Sequence, residues 1–421
     1  MKYRIKNVTA NSLIISIGGL LLGISANVSG ASIYFGEYFD LTPGTFLEGL
    51  AVSITMLATF IGNFFAGRIC DRMGRRKALM LAAILFSFCT LGSAMSHIYA
   101  FFLASRFIGG FGIGISLLAA PMFIAEIAPD SRRGFLVSFN QMNIGIGYLI
   151  AYLSNTVVNG LTDDPEMKWR LMLGVGFIFP LIYFVSLAFI PESPVWISMK
   201  EKGSIRTESF RNQWGSLFSR KMKAVLAVAF SIAFFQMASG INSVLFYAPK
   251  IFDLAGFRGN ESFFQSNLIG ITMVLMTFVS MALIDRLGRK PLLIAGSVIM
   301  ILGYLVTGLY MDKSPVIVLA GIISVVIGFS ISLGPVMWAY LAEIFPLEVK
   351  GLGISLAGMF NGIISFAVTT LFPLEVKYLG TGNTFLVYMA VMTACLVCVL
   401  TFYPETKGKS LKEIEEKLIR K

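Results

Sequence analysis

The sequence predicts an all-helical membrane protein with twelve transmembrane helices in two pseudo-symmetric six-helix bundles. Its composition, the lengths of its apolar runs and an internal repeat support this prediction. Of the 421 residues, 56% are hydrophobic and only 14% are charged, whereas soluble domains carry about 25% charged residues. The composition therefore excludes an ordinary water-soluble fold.

The apolar runs are each close to the roughly 20 residues that a helix needs to cross a bilayer. Twelve such runs follow one another along the chain. They place the predicted spans at 12–36, 46–67, 78–96, 99–125, 135–158, 171–190, 223–248, 264–284, 292–311, 315–342, 352–374 and 382–403.

The basic residues predict the orientation of these spans. Of the 34 Lys and Arg residues, 27 fall on the side that holds the N-terminus, six fall on the opposite side, and Arg106 lies within a span. The side that is richer in Lys and Arg is normally cytoplasmic. Both termini are therefore expected in the cytoplasm, and the net charge of +11 indicates topology rather than nucleic-acid binding.

Three motifs occur twice, in the same order, at offsets of 213 to 217 residues. Asp-Arg-Met-Gly-Arg-Arg at 71–76 returns as Asp-Arg-Leu-Gly-Arg-Lys at 285–290. The stretch 121–134 returns as 335–351, and Pro-Glu-Ser at 191–193 returns as Pro-Glu-Thr at 404–406. Two homologous halves of six spans are typical of secondary transporters.

The repeat also predicts the domain organisation. The only long polar segment divides the spans six and six. We expect a first bundle, a cytoplasmic linker, a second bundle and a cytoplasmic tail at 1–190, 191–222, 223–403 and 404–421.

The repeated motifs place arginines and carboxylates at the cytoplasmic ends of the spans. Arginine and carboxylate can form forked, bidentate pairs. We predict a cytoplasmic charge network whose pairs join the two halves and hold that side shut; the alternative is that the charges only set topology. Its members are Asp71, Arg75, Arg76, Glu126, Arg133, Glu192, Asp285, Arg286, Arg289, Glu343, Lys350 and Glu405.

Few residues could support other chemistry. Cys395 and Cys398 form a C-x-x-C inside an apolar run, where packing is the better interpretation than redox activity. His97 is the only histidine and cannot form a metal site alone. Because no catalytic triad, metal cluster or phosphate loop is evident, we expect neither an enzyme nor a cofactor.

Taken together, these motifs resemble those of the sugar porter family of the major facilitator superfamily, and the resemblance covers nearly the whole chain. Further matching segments are 106–114, Trp169-Arg170, 236–242 (QMASGIN), 334–338 (GPVMW), 343–346 and 404–408 (PETKG). The tail motif and the motif at 236–242 are specific to sugar porters. The resemblance implies the major facilitator fold and transport by alternating access.

The resemblance also implies a substrate site. Amides suit sugar hydroxyls because each offers a donor and an acceptor without a charge to desolvate. For each amide the alternative is an interhelical hydrogen bond. The candidate binding residues are Gln141, Gln236, Asn242 and Asn361, with Trp338 as the aromatic surface and Tyr247 beside the outer gate.

This sequence departs from the family pattern at three pocket positions. Met237 replaces a glutamine, Met273 an asparagine and Gly362 a tryptophan. Losing a hydroxyl partner discriminates strongly between substrates. We therefore expect a less polar pocket, for a hexose, a pentose or a related polyol.

A fourth departure concerns energy coupling. Ser25 stands where proton-linked members carry an aspartate, whereas the partner arginine is present as Arg106. A proton relay needs a titratable group within the membrane, and no Asp or Glu is predicted near the midplane of a span. These residues favour facilitated uniport, with proton symport as the alternative.

The sequence therefore predicts a sugar uniporter in a bacterial cytoplasmic membrane, with both termini cytoplasmic. Its expected partners are a small-molecule sugar and membrane lipid, not nucleic acid, and we expect a monomer. Proton symport, a sugar sensor and an efflux transporter remain as alternatives.

Overall fold

The computed structural model describes residues 7–129, 132–201, 210–346, 349–409 and 413. Helices and turns make up these residues, and no β-strand occurs among them. Twelve helices are long and apolar enough to cross a membrane, which confirms the predicted fold class. They are Val8–Tyr38, Phe46–Met73, Arg75–Ala94, Tyr99–Ile127, Arg133–Leu161, Pro165–Ala188, Lys223–Phe246, Asn260–Ile284, Arg289–Tyr310, Pro315–Ile344, Lys350–Leu379 and Thr381–Thr401, here called spans 1 to 12.

Four of the spans are interrupted, which the apolar runs did not predict. Spans 1 and 6 contain 3-10 turns, and spans 7 and 10 break into separate helices. Span 1 consists of Val8–Ile24, Ser25–Asn27 and Val28–Tyr38, and span 6 consists of Pro165–Gly174, Val175–Phe177 and Ile178–Ala188. Span 7 consists of Lys223–Ala238 and Ile241–Phe246, and span 10 consists of Pro315–Ile331 and Leu333–Ile344. Short helices Pro194–Glu201, Phe210–Leu217, Arg220–Met222 and Ala248–Leu254 lie outside the spans.

The glycines of span 4 allow close packing against span 2. A side chain at Gly110 or Gly114 would run into the backbone carbonyls of Thr55 and Thr59. Small residues at such positions let the backbones of membrane helices approach closely. The glycine string is therefore a packing surface.

The chain forms two compact units. Unit 1 comprises Met1–Arg206, Phe246–Lys250 and Gly259–Gly270, and unit 2 comprises Thr207–Leu245, Ile251–Arg258 and Ile271–Lys421. Unit 1 thus contains the end of span 7 and the beginning of span 8 in addition to the first six spans.

Candidate functional site

In unit 2, Gln236 links three spans through its side-chain amide. It lies in the last turn before the break in span 7 and is 2% exposed. Its Nε2 donates to the carbonyl oxygens of Leu333 at 2.7 Å and Gly334 at 3.2 Å in span 10. Its Oε1 accepts from Asn361 Nδ2 in span 11 at 2.9 Å. The two predicted amides Gln236 and Asn361 are therefore in direct contact.

Asn242 lies just beyond the break in the same span. Its Nδ2 donates to the hydroxyl of Ser365 at 2.6 Å and approaches the thioether sulfur of Met237 at 3.3 Å. Ser365 is a site neighbour that the sequence interpretation missed. Its position four residues after Asn361, on the same helix face, is the signal that could have identified it.

The aromatic candidate Trp338 also lies in unit 2, on span 10. Its side chain is 41% exposed, and a Cβ added at Gly358 of span 11 would lie 3.4 Å from the edge of its ring. Trp338 therefore has accessible surface, as a residue that stacks on a sugar ring needs.

Gln141 and Tyr247 belong to unit 1. Gln141 is half-buried on span 5, whereas Tyr247 is fully buried directly after the second helix of span 7. The structure thus brings Gln236 and Asn361 into contact and places Asn242 and Trp338 on the same unit.

Two tyrosines pack against the break in span 7. Gly240 has φ 79°, and a side chain there would collide with the ring of Tyr388. The hydroxyl of Tyr304 donates to the carbonyl of Ser239 at 2.5 Å. Interrupted helices of this kind form the substrate sites of many transporters.

At the start of span 3, Arg75 forms the centre of the first charge cluster. Its guanidinium donates to both carboxylate oxygens of Glu126 at 2.9–3.1 Å and to Asp71 at 3.3 Å. The hydroxyl of Ser193, which directly follows the linker glutamate, also donates to Glu126. A buried arginine is therefore paired with a carboxylate from another helix of the same half.

Glu192, at the start of the linker, also belongs to this cluster. Its carboxylate accepts the backbone N–H groups of Arg75 and Arg76 at 2.9 and 3.0 Å. The side chain of Arg76 in turn donates to the carbonyl of Ile190 at 2.9 Å. Free backbone N–H groups at a helix start bind anions well, so this carboxylate caps span 3.

The second half repeats the arrangement in unit 2. Arg289 pairs with Glu343 at 2.7 Å, and the hydroxyl of Thr406 donates to Glu343 at 2.5 Å. Glu405 accepts the backbone N–H groups of Arg289 and Lys290 at 3.1 and 3.0 Å. Ser193 and Thr406 were missed by the sequence interpretation, although both follow the repeated Pro-Glu.

Each of the two repeated motifs needs a glycine at the same position for a steric reason. Gly74 and Gly288 have φ 93° and 95°, a region that side chains rarely adopt. A Cβ at Gly74 would collide with the carboxylate of Glu192, and one at Gly288 would lie 2.9 Å from the carboxylate of Glu405. The glycines let each capping carboxylate lie against its turn.

Three further network candidates lie at or near the ends of spans. Arg286 has an exposed side chain, and its carbonyl accepts from Lys407 Nζ at 2.6 Å. Arg133 and Lys350 begin spans 5 and 11, and the side chain of Asp285 lies outside the described residues. The pairs described above join residues of one half; pairing between the halves stays a prediction.

The contacts of Glu405 predict that the stability of the protein depends on pH. Burial alone would raise the pKa of Glu405, but backbone N–H donors hold this pKa below its ordinary value of 4.5. The stabilisation is therefore present above about pH 4.5 and is lost as the pH falls through the lowered folded-state pKa. We expect Glu405→Gln to flatten the acid side of the stability curve, measured by thermal unfolding between about pH 5 and pH 3.

The control for this experiment is Glu261→Gln, which changes an exposed carboxylate. It should leave the acid side of the curve as in the unmodified protein. An unchanged acid side of the stability curve in Glu405→Gln would show that the Glu405 carboxylate does not cause the pH dependence.

Ser25 and Arg106, the candidate coupling residues, lie in unit 1. The hydroxyl of Ser25 donates to the carbonyl of Leu22 at 2.6 Å, at the start of the 3-10 turn of span 1. Arg106 is 2% exposed; its guanidinium lies over the ring of Phe102 at 5.8 Å, and its Nη2 is 3.4 Å from the carbonyl of Val52. Both residues line one small cavity.

Polar contacts attach Lys250 and the beginning of span 8 to the first six spans within unit 1. Lys250 forms an ion pair with Glu48 of span 2. In span 8, Asn260 accepts from Asn159 of span 5 at 2.5 Å, and a side chain at Gly270 would meet the backbone of Leu149.

Comparisons with known proteins agree with these features. The family model "Sugar (and other) transporter" matches residues 11–213 and 199–418. The putative metabolite transport protein YwtG of Bacillus subtilis (strain 168) is 33% identical over 96% of this chain and 93% of its own length. The arabinose-proton symporter of the same organism is 32% identical over the same shares. The inward-open conformation of the xylose transporter XylE from E. coli matches with a TM-score of 0.85 and 28% identity, over 97% of this chain and 99% of that chain.

Proposed function

Because the chain belongs to the sugar porter family of the major facilitator superfamily, whose members are membrane transporters and not enzymes, we propose that it is a sugar uniporter. It is a multi-pass membrane protein with twelve spans among the described residues. We propose that it carries a hexose, a pentose or a related polyol down its gradient by alternating access.

The contact between Gln236 and Asn361 carries this proposal. The two amides hold each other beside the broken spans 7 and 10, and small displacements would release donors and acceptors to sugar hydroxyls. We propose Gln236, Asn242, Asn361 and Trp338 as sugar-binding residues in unit 2, and Gln141 as a further one in unit 1. Met237, which lies against Asn242, supports a pocket less polar than a typical hexose site.

Ser25 supports uniport rather than proton coupling. A serine does not titrate at physiological pH, and its hydroxyl is already bonded to a backbone carbonyl. Proton symport is the second candidate, since the arabinose-proton symporter is among the relatives. The buried phenol of Tyr388 donates to Glu375 at 2.6 Å at the end of span 11, and this carboxylate is where we would locate such coupling.

The test is uptake of labelled hexoses, pentoses and polyols into proteoliposomes, with and without an inward proton gradient. We expect one substrate to equilibrate without accumulating, at the same final level in both conditions. Gradient-driven accumulation that is lost in Glu375→Gln would replace uniport with symport. If none of these compounds moves, sugar transport is excluded and an efflux or sensing role would have to be tested.

We further propose that the charge clusters stabilise the cytoplasmic side and that Tyr247 contributes to the outer gate. Both termini are proposed to be cytoplasmic, with 27 of the basic residues on that side. A monomer surrounded by lipid in a bacterial cytoplasmic membrane is the proposed setting.

The ion pair between Glu48 and Lys250 predicts a gating phenotype. In Lys250→Met the buried Glu48 keeps the N–H of Gly44 but loses its counter-charge, so we expect the segment that follows span 7 to detach more often. A cysteine at Asn267, which is buried against Thr156, should then react at least ~5-fold faster with a membrane-impermeant thiol reagent, equivalent to about 1 kcal/mol.

This measurement uses a background in which the four native cysteines are replaced. Lys313→Met is the matched control, because Lys313 is also expected on the outer side but lies over the ring of Tyr310 at 5.6 Å. Equal reaction rates in both variants would show that the ion pair between Glu48 and Lys250 does not control the gate.

A further inference from the structure

A small polar cavity lies inside unit 1, among spans 1, 2, 3, 4 and 6. Its volume is about 20 Å³, which is room for a single water molecule or an ion of similar size. The polar part of its lining consists of Ser25, Asn27, Thr55, Thr90, Ser93 and Arg106.

Arg106 brings a full positive charge to this cavity. Its guanidinium remains protonated at any physiological pH, and it is 2% exposed. Among the residues described as lining the cavity there is no carboxylate, and Nε of Arg106 has no hydrogen-bond partner within the described structure. The ring of Phe102 and the carbonyl of Val52 compensate this charge in part, but a charge without a counter-ion in a membrane span is costly, so a counter-charge would stabilise the site.

A second group in the cavity is also unsatisfied. The hydroxyl Oγ1 of Thr55 is buried without a hydrogen-bond partner among the described residues. The hydroxyls of Ser25 and Thr90 donate to backbone carbonyls at 2.6 and 3.0 Å. The unused polar atoms of Arg106 and Thr55 can both act as donors, which is the chemistry that an anion needs.

We propose that the cavity binds one small monovalent anion, chloride, between Arg106 and Thr55. A water molecule would satisfy the donors but would leave the guanidinium charge uncompensated. Chloride satisfies both, although it is larger than a water molecule. The anion acts here as a fixed structural counter-ion, and the proposal does not depend on which sugar the protein carries.

The test is thermal unfolding of the purified full-length protein in detergent, in sodium gluconate to which chloride is added at constant ionic strength. Binding to the folded state raises the unfolding temperature in a saturable way. We expect such a rise with chloride and with bromide, and no rise with further gluconate. Identical unfolding temperatures in chloride and gluconate would overturn the proposal.

Variants then locate the site. Ser25→Asp introduces a carboxylate into the cavity, so we expect a folded protein whose unfolding temperature no longer responds to chloride. Thr55→Val removes a donor at nearly constant volume and should weaken chloride binding at least ~5-fold, the effect of about 1 kcal/mol. Thr59→Val, one turn along span 2 and outside the lining, should retain the full response.

An unchanged chloride response in Ser25→Asp would contradict this location, and so would equal responses in Thr55→Val and Thr59→Val. Neither measurement involves transport. A protein that responds to chloride but carries no sugar would therefore contradict the proposed function and leave the anion site supported.

Discussion

Replacing Arg75 with methionine is expected to lower the free energy of unfolding by about 3 kcal/mol. Its side chain is 5% exposed and that of Glu126 is 14% exposed, so the variant leaves a buried carboxylate without its main counter-charge. The hydroxyl of Ser193 still reaches this carboxylate, which keeps the loss at the lower end of the range for broken buried pairs. The measurement is thermal or chemical unfolding of the purified protein.

The second half provides a matched control for this experiment. Arg289→Met removes the corresponding residue, but there the side chains are 13% and 30% exposed. Water can solvate the remaining Glu343, so we expect a loss of only about 1 kcal/mol. Equal losses in the two variants would mean that burial does not decide the contribution of these pairs.

Substitution of Gln236 by alanine is expected to reduce sugar transport by at least ~10-fold. The variant removes a proposed sugar ligand, whereas the amide of Asn361 keeps its bond to the carbonyl of Ala233 at 2.9 Å. A buried sugar hydroxyl that loses its hydrogen-bond partner costs about 1–3 kcal/mol, which corresponds to a factor of roughly 5 to 150 in the rate. Initial rates of uptake in proteoliposomes, normalised to the amount of folded protein, test this expectation.

Two further variants test whether the loss of transport is specific to Gln236. Gln265→Ala changes a half-buried glutamine of span 8 that is not among the proposed sugar-binding residues and should transport at the normal rate. Ser365→Ala removes the acceptor of Asn242 without touching Gln236, so we expect a smaller loss. Normal uptake by Gln236→Ala would exclude this residue from the sugar site.

The fold was predictable because the signals for it are physical requirements that leave a clear pattern. A bilayer demands about 20 apolar residues for each crossing, and each predicted span coincides with one in the structure. The duplicated motifs likewise identify Arg75 and Arg289 as equivalent residues. The candidate site residues that carry the proposed function came from the resemblance to the sugar porter family, not from hydropathy.

Other features had no sequence signal of sufficient strength. The breaks in spans 7 and 10 fall within apolar stretches, where hydropathy does not distinguish Gly240 or Ser332 from a continuous helix. The role of Ser193 depends on a carboxylate 67 positions away, which no local pattern reveals. The contact of Asn242 with Ser365 had a weak signal, the position of Ser365 four residues after Asn361, but many serines in membrane helices bond only to their own backbone.

Unit 1 contains segments that are far apart in the chain, and this affects the order in which the protein folds during its synthesis. Translation proceeds from the N-terminus, and domains generally fold as units as they emerge. The segments Phe246–Lys250 and Gly259–Gly270 of unit 1 leave the ribosome only after the linker and most of span 7. A nascent chain of six inserted spans therefore still has the surfaces around Glu48 and Asn159 uncovered, and the first half completes its packing only while the second half is being synthesised.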